Sequence, residues 1–166
     1  RHLSEETNEN IHDNGTIEIT TNSLYNDSDS YHPKNVVDYQ KNNNYESNNK
    51  LQDAEICFDF KDNSIQLSEY SIQTSSGDQN GYHLRNWVVE VSNDKKKWDI
   101  VDQHNNDSSL RGKSLIVTFK TKEMASFYRY IRIRQTGKSW NDSYETVIYY
   151  LEFYGKLKEA IKKKTK

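Results

Sequence analysis

The sequence predicts an all-β fold, a sandwich or jelly roll of roughly eight strands. Three observations lead there. Short apolar runs alternate with polar residues at a period of two, and Asn, Asp, Ser and Gly separate them. No internal stretch carries the three-to-four-residue apolar spacing of an amphipathic helix. Hydrophobic residues make up only 33% of the 166, yet 12% of the chain is aromatic, so the scarce apolar content is concentrated in rings that bury much area each.

The stretch Trp87–Asp102 carries the plainest strand signal. Trp87, Val89 and Val91 share one face of a β-branched run. Ser92-Asn93-Asp94-Lys95-Lys96-Lys97 then supplies turn chemistry, and Trp98, Ile100 and Val101 open a second run. This predicts an antiparallel hairpin at the centre of the domain, with each tryptophan covering one edge of the core.

The other elements follow in chain order. Residues 1–14 are polar and acidic and read as a linker arm; the domain proper is expected over 15–155. Ile17 and Ile19 alternate in a first strand. Residues 22–49, nearly devoid of aliphatics and holding the lone Pro33, read as a long loop. Ile56, Phe58 and Phe60 point inward from the next strand, and Ile65, Leu67, Tyr70 and Ile72 mark another. Ser75–Gly81 is a loop, and Ser109–Lys113 a turn. Leu115, Val117 and Phe119 alternate, then Ile131 and Ile133 within 127–134. Gly137–Tyr144 is a loop, and Val147, Tyr149, Leu151 and Phe153 form the last alternation, closed by Gly155. The tail 156–166 is basic; Leu157 and Ile161, four apart, fit a short helix or a solvated end leading onward. A start at Arg1 without Met predicts a piece of a longer protein.

Composition excludes several function classes. With 23 basic against 25 acidic residues, net −2, the chain lacks the positive excess of a nucleic-acid binder. No apolar run approaches the ~20 residues of a membrane span. The 22–49 loop offers tyrosines but little aliphatic surface for membrane insertion. A single cysteine, Cys57, allows no internal disulfide, which favours a reducing, intracellular and cytoplasmic setting. HExxH, CxxC and GxSxG are all missing, and Cys57, between Ile56 and Phe58, reads as a sheet-packed thiol. The sequence itself calls for no cofactor and no catalysis. Asn42-Asn43-Asn44 and Asn105-Asn106 read as compositional bias.

Four segments carry a family resemblance: Pro33–Asp38, Ile56–Phe60, Trp87–Asp94 with Trp98, and Tyr130–Gly137 closing on Leu151–Gly155. In their order and spacing the chain resembles the F5/8 type C, or discoidin, domains, which are galactose-binding-like jelly rolls of eight strands. His83-Leu84-Arg85-Asn86-Trp87 and Asp102-Gln103-His104 further resemble the intracellular branch attached to BTB-type adaptors and ubiquitin-ligase-associated proteins. Secreted members pin their ends with a disulfide, which this chain cannot form. Many relatives carry Trp just before the Ile56 strand, where Asp53-Ala54-Glu55 stand here.

The resemblance implies a ligand surface on the loops at one end of the sandwich. Here these are residues 22–49, 75–86 and 137–146, bearing Tyr31, His32, His83, Arg85, Trp140 and Tyr144. Sugar-binding relatives hold a structural Ca²⁺, and Asp38 and Glu152 stand in the matching places; oxygen ligands suit that hard cation. The leading expectation is a non-catalytic module that grips a protein or peptide within an intracellular adaptor, an aromatic ring beside Arg being a typical anchor. The alternative is a carbohydrate-binding module, with a sugar stacked on Trp140 and Arg85 or Asn141 bonding its hydroxyls.

Overall fold

A computed structural model describes residues 9–38, 43–78 and 80–161. Strands β1 (Glu18–Thr21), β2 (Tyr45–Glu46), β3 (Glu55–Asp59), β4 (Ser64–Gln73) and β5 (Trp87–Ser92) come first. Then follow β6 (Asp99–His104), β7 (Ile116–Lys120), β8 (Tyr130–Gln135), β9 (Val147–Ile148) and β10 (Tyr150–Lys158). All pair antiparallel, in a five-stranded sheet β1-β3-β8-β5-β6, a three-stranded sheet β10-β4-β7 and the short ribbon β2-β9. This is the expected all-β jelly-roll sandwich.

The core lies between the two larger sheets. Ile19, Ile56, Phe58, Trp87, Val89, Val91, Ile131 and Ile133 face it from one side. Ile65, Leu67, Tyr70, Ile72, Phe119 and Leu151 meet them from the other. The alternation that marked these strands is thus the pleat of two half-buried sheets. Phe153 packs edge-on against Phe58 at 4.8 Å, so rings close the gap that the aliphatics leave.

Several expectations about individual elements change. The Trp87–Asp102 hairpin forms, but β6 is an edge strand and β8 holds the centre of its sheet. Hairpin signals are local, whereas sheet order depends on strands far apart in sequence. Trp98 does not cap the core: its ring lies over the Arg132 guanidinium at 4.0 Å on the sheet's outer face. The last alternation breaks at Tyr149 into β9 and β10, because Val147 and Ile148 pair with β2 while Leu151 pairs with Ile72. β2 itself emerges from the region read as loop. Pro33 opens a 3₁₀ turn, Pro33–Val37, at a position where its missing N–H is no loss.

Both ends of the domain reach further than the sequence suggested. Ile11, assigned to the arm, is buried in the core, and His12 Nδ1 accepts the Ile19 N–H at 2.9 Å. The rest of the arm, residues 1–8, lies outside the described residues. β10 runs past Gly155 to Lys158, with Leu157 opposite Ile65, so this stretch of the tail is strand and not helix. Gly155 sits at a register shift, where a Cβ would stand 2.1 Å from the Gln66 carbonyl oxygen. Only glycine lets the two backbones approach that closely.

Candidate functional site

The loops after β4, β6 and β8 meet at one end of the sandwich. The loop after β8 carries Trp140, half-buried, with its indole N–H donating to the Asp107 carbonyl at 3.2 Å. The Arg85 and Arg111 guanidinium carbons lie 4.7 and 4.6 Å from the indole centroid, both within cation–π range. Each arginine is aimed by an asparagine: Arg85 Nε donates to Asn106 Oδ1 at 2.7 Å, and Arg111 Nε to Asn80 Oδ1 at 2.8 Å. Arg85 also reaches Asp142 at 3.4 Å. The result is an exposed cluster of one flat ring, two fixed cations and a rim of amides.

The supports of this cluster are backbone bonds between loops. The Trp140 N–H donates to the His83 carbonyl at 3.1 Å, and the Asp107 N–H to the Arg85 carbonyl at 2.9 Å. Asn86 Oδ1 accepts the Asn106 N–H at 2.8 Å, while its Nδ2 donates to the Lys138 carbonyl at 3.0 Å. Asn106 adopts φ 50, a left-handed conformation that asparagine tolerates well. Asn105-Asn106 is therefore more than compositional bias.

Of the six residues singled out by sequence, the structure brings Arg85 and Trp140 into contact. His83 is a support beneath them: it is 1% exposed, its Nε2 lies 2.9 Å from Ser75 Oγ, and burial lowers its pKa, keeping the ring neutral. Tyr144 stands on the rim, its N–H held by Asn49 Oδ1 at 2.7 Å and its ring 6.0 Å from the Lys138 ammonium. Tyr31 and His32 have other ring partners, Tyr25 at 5.1 Å and His12 at 5.5 Å respectively. Arg111, Asn80 and Asn106 were missed. Arg111 lies in a stretch that sequence marked only as a turn, and its nearness to Trp140 is a tertiary fact.

Asp38 and Glu152, the residues that the resemblance places at a Ca²⁺ site, lie at the end of the Pro33–Val37 turn and on β10. Glu152 Oε2 accepts hydroxyl bonds from Tyr150 at 2.6 Å and Tyr154 at 2.9 Å, so hydroxyl donors already occupy that oxygen. Asp38 caps the Pro33–Val37 turn. Among the described residues no group of three or more His, Cys, Asp or Glu is placed to hold a metal.

A small interior cavity lies under the Trp140 loop, lined by Ala54, Leu84, Gln135 and Thr146 among others, with room for about one water. Ala54 is the position just before β3 where resembling domains carry Trp.

Arg132 and Arg134, which alternate with the inward Ile131 and Ile133, lie on the outer face of the five-stranded sheet. They converge on buried Glu90, Arg132 Nε at 2.6 Å and Arg134 Nε at 3.0 Å. They are structural and play no part in the loop cluster.

Comparison with known proteins fits this geometry. CpGH89CBM32-5 from Clostridium perfringens, solved with GalNAc-β-1,3-galactose, superposes with a TM-score of 0.67 at 14% identity over 85% of this chain and 96% of its own. The family 32 carbohydrate-binding module of C. perfringens NanJ, solved with galactose, gives 0.65 at 10% identity over 87% and 95%. A chitosan-binding module from a Paenibacillus sp. IK-5 chitosanase/glucanase gives 0.63 at 15% identity over 84% and 96%. No curated protein is significantly similar in sequence.

These neighbours overturn the expectation of a protein or peptide ligand within an adaptor, since those named here are carbohydrate-binding modules. The reason is visible in the fold. Three residues of the stretch that suggested the adaptor branch, His83, Leu84 and Trp87, are buried, so these three report packing and not the partner. The F5/8 type C domain model matches residues 18–150, from β1 to the first residue of β10, and the chain belongs to that family.

Proposed function

We propose that this domain is a non-catalytic carbohydrate-binding module whose glycan site is the loop end around Trp140, Arg85 and Arg111. The observation that carries the reading is the half-buried Trp140 ring with two guanidiniums near its face. A pyranose offers an apolar C–H face and a girdle of hydroxyls. A flat indole suits the first, and rigid forks of N–H donors suit the second. Asn80 and Asn106 hold the forks in place, which lowers the entropy lost on binding. Structurally similar modules solved with GalNAc-β-1,3-galactose and with galactose support a sugar as the class of ligand.

The test is a glycan array followed by calorimetry with galactose, N-acetylgalactosamine and chitosan oligosaccharides. Wild type is expected to bind at least one. Trp140→Ala is expected to lose binding by about a hundredfold, as for loss of a central aromatic anchor. A wild-type protein blind to every glycan, or a Trp140→Ala variant that binds as well, overturns the reading.

A further inference from the structure

We propose that His104 is a positioning residue for this loop site, holding it in shape as a doubly protonated imidazolium clamped between Asp102 and Asp107. The proposal rests on the glycan-site reading for its meaning, but its geometry stands apart from any ligand.

His104 closes β6, and both of its ring nitrogens face carboxylates. Nε2 lies 2.7 Å from Asp102 Oδ2, and Nδ1 lies 2.6 Å from Asp107 Oδ2. A neutral imidazole has one N–H and one lone pair, so it would turn a lone pair toward one of the two carboxylates. Only the imidazolium satisfies both. The ring cannot rotate to escape: it stacks on Trp87 at 4.1 Å with 13° between planes, and it meets Phe119 at 4.8 Å.

Every packed element contributes to this centre. β6 supplies Asp102, the loop after it supplies Asp107, and β4 supplies Tyr70, whose hydroxyl donates to Asp102 Oδ2 at 2.6 Å. Trp87 of β5 and Phe119 of β7 pack on the ring without titrating, and the Trp87 indole N–H donates to the Tyr70 oxygen at 3.0 Å. Burial opposes the charged ring, but the hydrogen bonds and charges of Asp102 and Asp107 outweigh it and raise the His104 pKa above the usual 6.5.

The clamp reaches the site through Asp107. Its carbonyl accepts the Trp140 indole N–H, its own N–H bonds the Arg85 carbonyl, and its neighbour Asn106 aims the Arg85 guanidinium. One residue on the loop after β6 thus ties a partly buried histidine to Trp140 and Arg85, two of the three groups that define the surface. Asp102 is anchored on a strand and keeps Tyr70. When the ring loses a proton, Asp107 keeps the Ser109 N–H on its Oδ1 at 2.7 Å, and the loop whose backbone holds Trp140 and Arg85 is no longer tied to the ring. The charged ring favours the ordered loop below the unfolded histidine pKa, and this is lost as pH rises through the raised folded value.

The experiment follows ring ¹⁵N shifts of His104 and solvent exchange of the Trp140 indole proton by NMR from pH 6 to 9.5, with galactose binding by calorimetry in parallel. In wild type, ring shifts are expected to show both nitrogens protonated at pH 6. Indole exchange is expected to quicken about tenfold in step with His104 deprotonation. Asp107→Asn, on an exposed-side loop, is expected to lower the His104 midpoint and free the indole at a lower pH. His104→Gln is expected to exchange rapidly throughout. A neutral His104 at pH 6, or an indole whose exchange ignores the His104 charge in both wild type and Asp107→Asn, overturns the proposal. If galactose fails to bind while the indole tracks His104, the glycan reading is what fails, not the clamp.

Discussion

Glu90→Gln tests whether charge holds the outer face of the five-stranded sheet. Glu90 is 4% exposed, and its carboxylate accepts bonds from Arg132 Nε at 2.6 Å and from Arg134 Nε and Nη2 at 3.0 Å each. A charge-assisted hydrogen bond contributes ~1.5–3 kcal/mol, roughly twice a neutral one. The isosteric amide keeps the volume, weakens all these bonds and sets an N–H donor against a guanidinium. At a loss of ~1 kcal/mol for each bond the total is about 3 kcal/mol. The arginine side chains are 17% and 28% exposed, so water recovers part of this, and we expect a net loss of about 2 kcal/mol.

For a domain of this size that lowers Tm by roughly 4–8 °C. The pH dependence adds a second constraint. Burial pushes the Glu90 carboxyl up, but the Arg134 and Arg132 bonds outweigh it and hold its pKa below the usual carboxylate range. A depressed carboxyl contributes stability that is complete above its unfolded pKa of about 4.3 and is lost as pH falls through the folded value. The gap between wild type and variant should therefore be full at pH 7 and shrink in acid. Urea unfolding at several pH values, followed by tryptophan fluorescence, measures it. A difference under ~0.5 kcal/mol at pH 7, or a gap that widens in acid, refutes the reasoning.

Two further outcomes follow from single residues. Gly155→Ala should destabilise the fold by about 1–3 kcal/mol in chemical denaturation, because its methyl meets the Gln66 carbonyl oxygen; unchanged stability would mean β10 relaxes away from β4 easily. Cys57 is buried between sheet neighbours, and desolvation pushes its thiol up to about 11. It should therefore react with a thiol reagent at pH 8 only as fast as the protein unfolds, so rapid labelling of the native state would contradict its placement.

How much of this was legible in sequence differs from residue to residue. Phe58, Trp87, Val89 and Ile131 were legible as core, because alternation is a local consequence of the pleat. The order of motifs was enough to suggest the family. β2 was invisible, since two residues held by a partner a hundred positions away leave no periodic trace. His104 drew notice only through Asp102-Gln103-His104, because nothing local shows that Asp107 and the Trp87 ring will close around it. The partner class was misjudged because a ring beside Arg anchors a protein as readily as a sugar, and because the stretch His83–Trp87 resembles the adaptor branch.

Sequence alone determined the all-β class, the positions of most strands and the inward faces, because these depend on spacing along a single strand. Tertiary structure decided that β8 holds the centre of its sheet, that Glu90 neutralises two arginines, and that Arg85, Arg111 and Trp140 share one surface. Those facts are set by long-range pairing and loop packing, where residues 29 and 55 positions apart meet at the end of the sandwich. A one-dimensional pattern cannot encode such meetings, since the same loops could have folded to opposite sides without altering a single alternation.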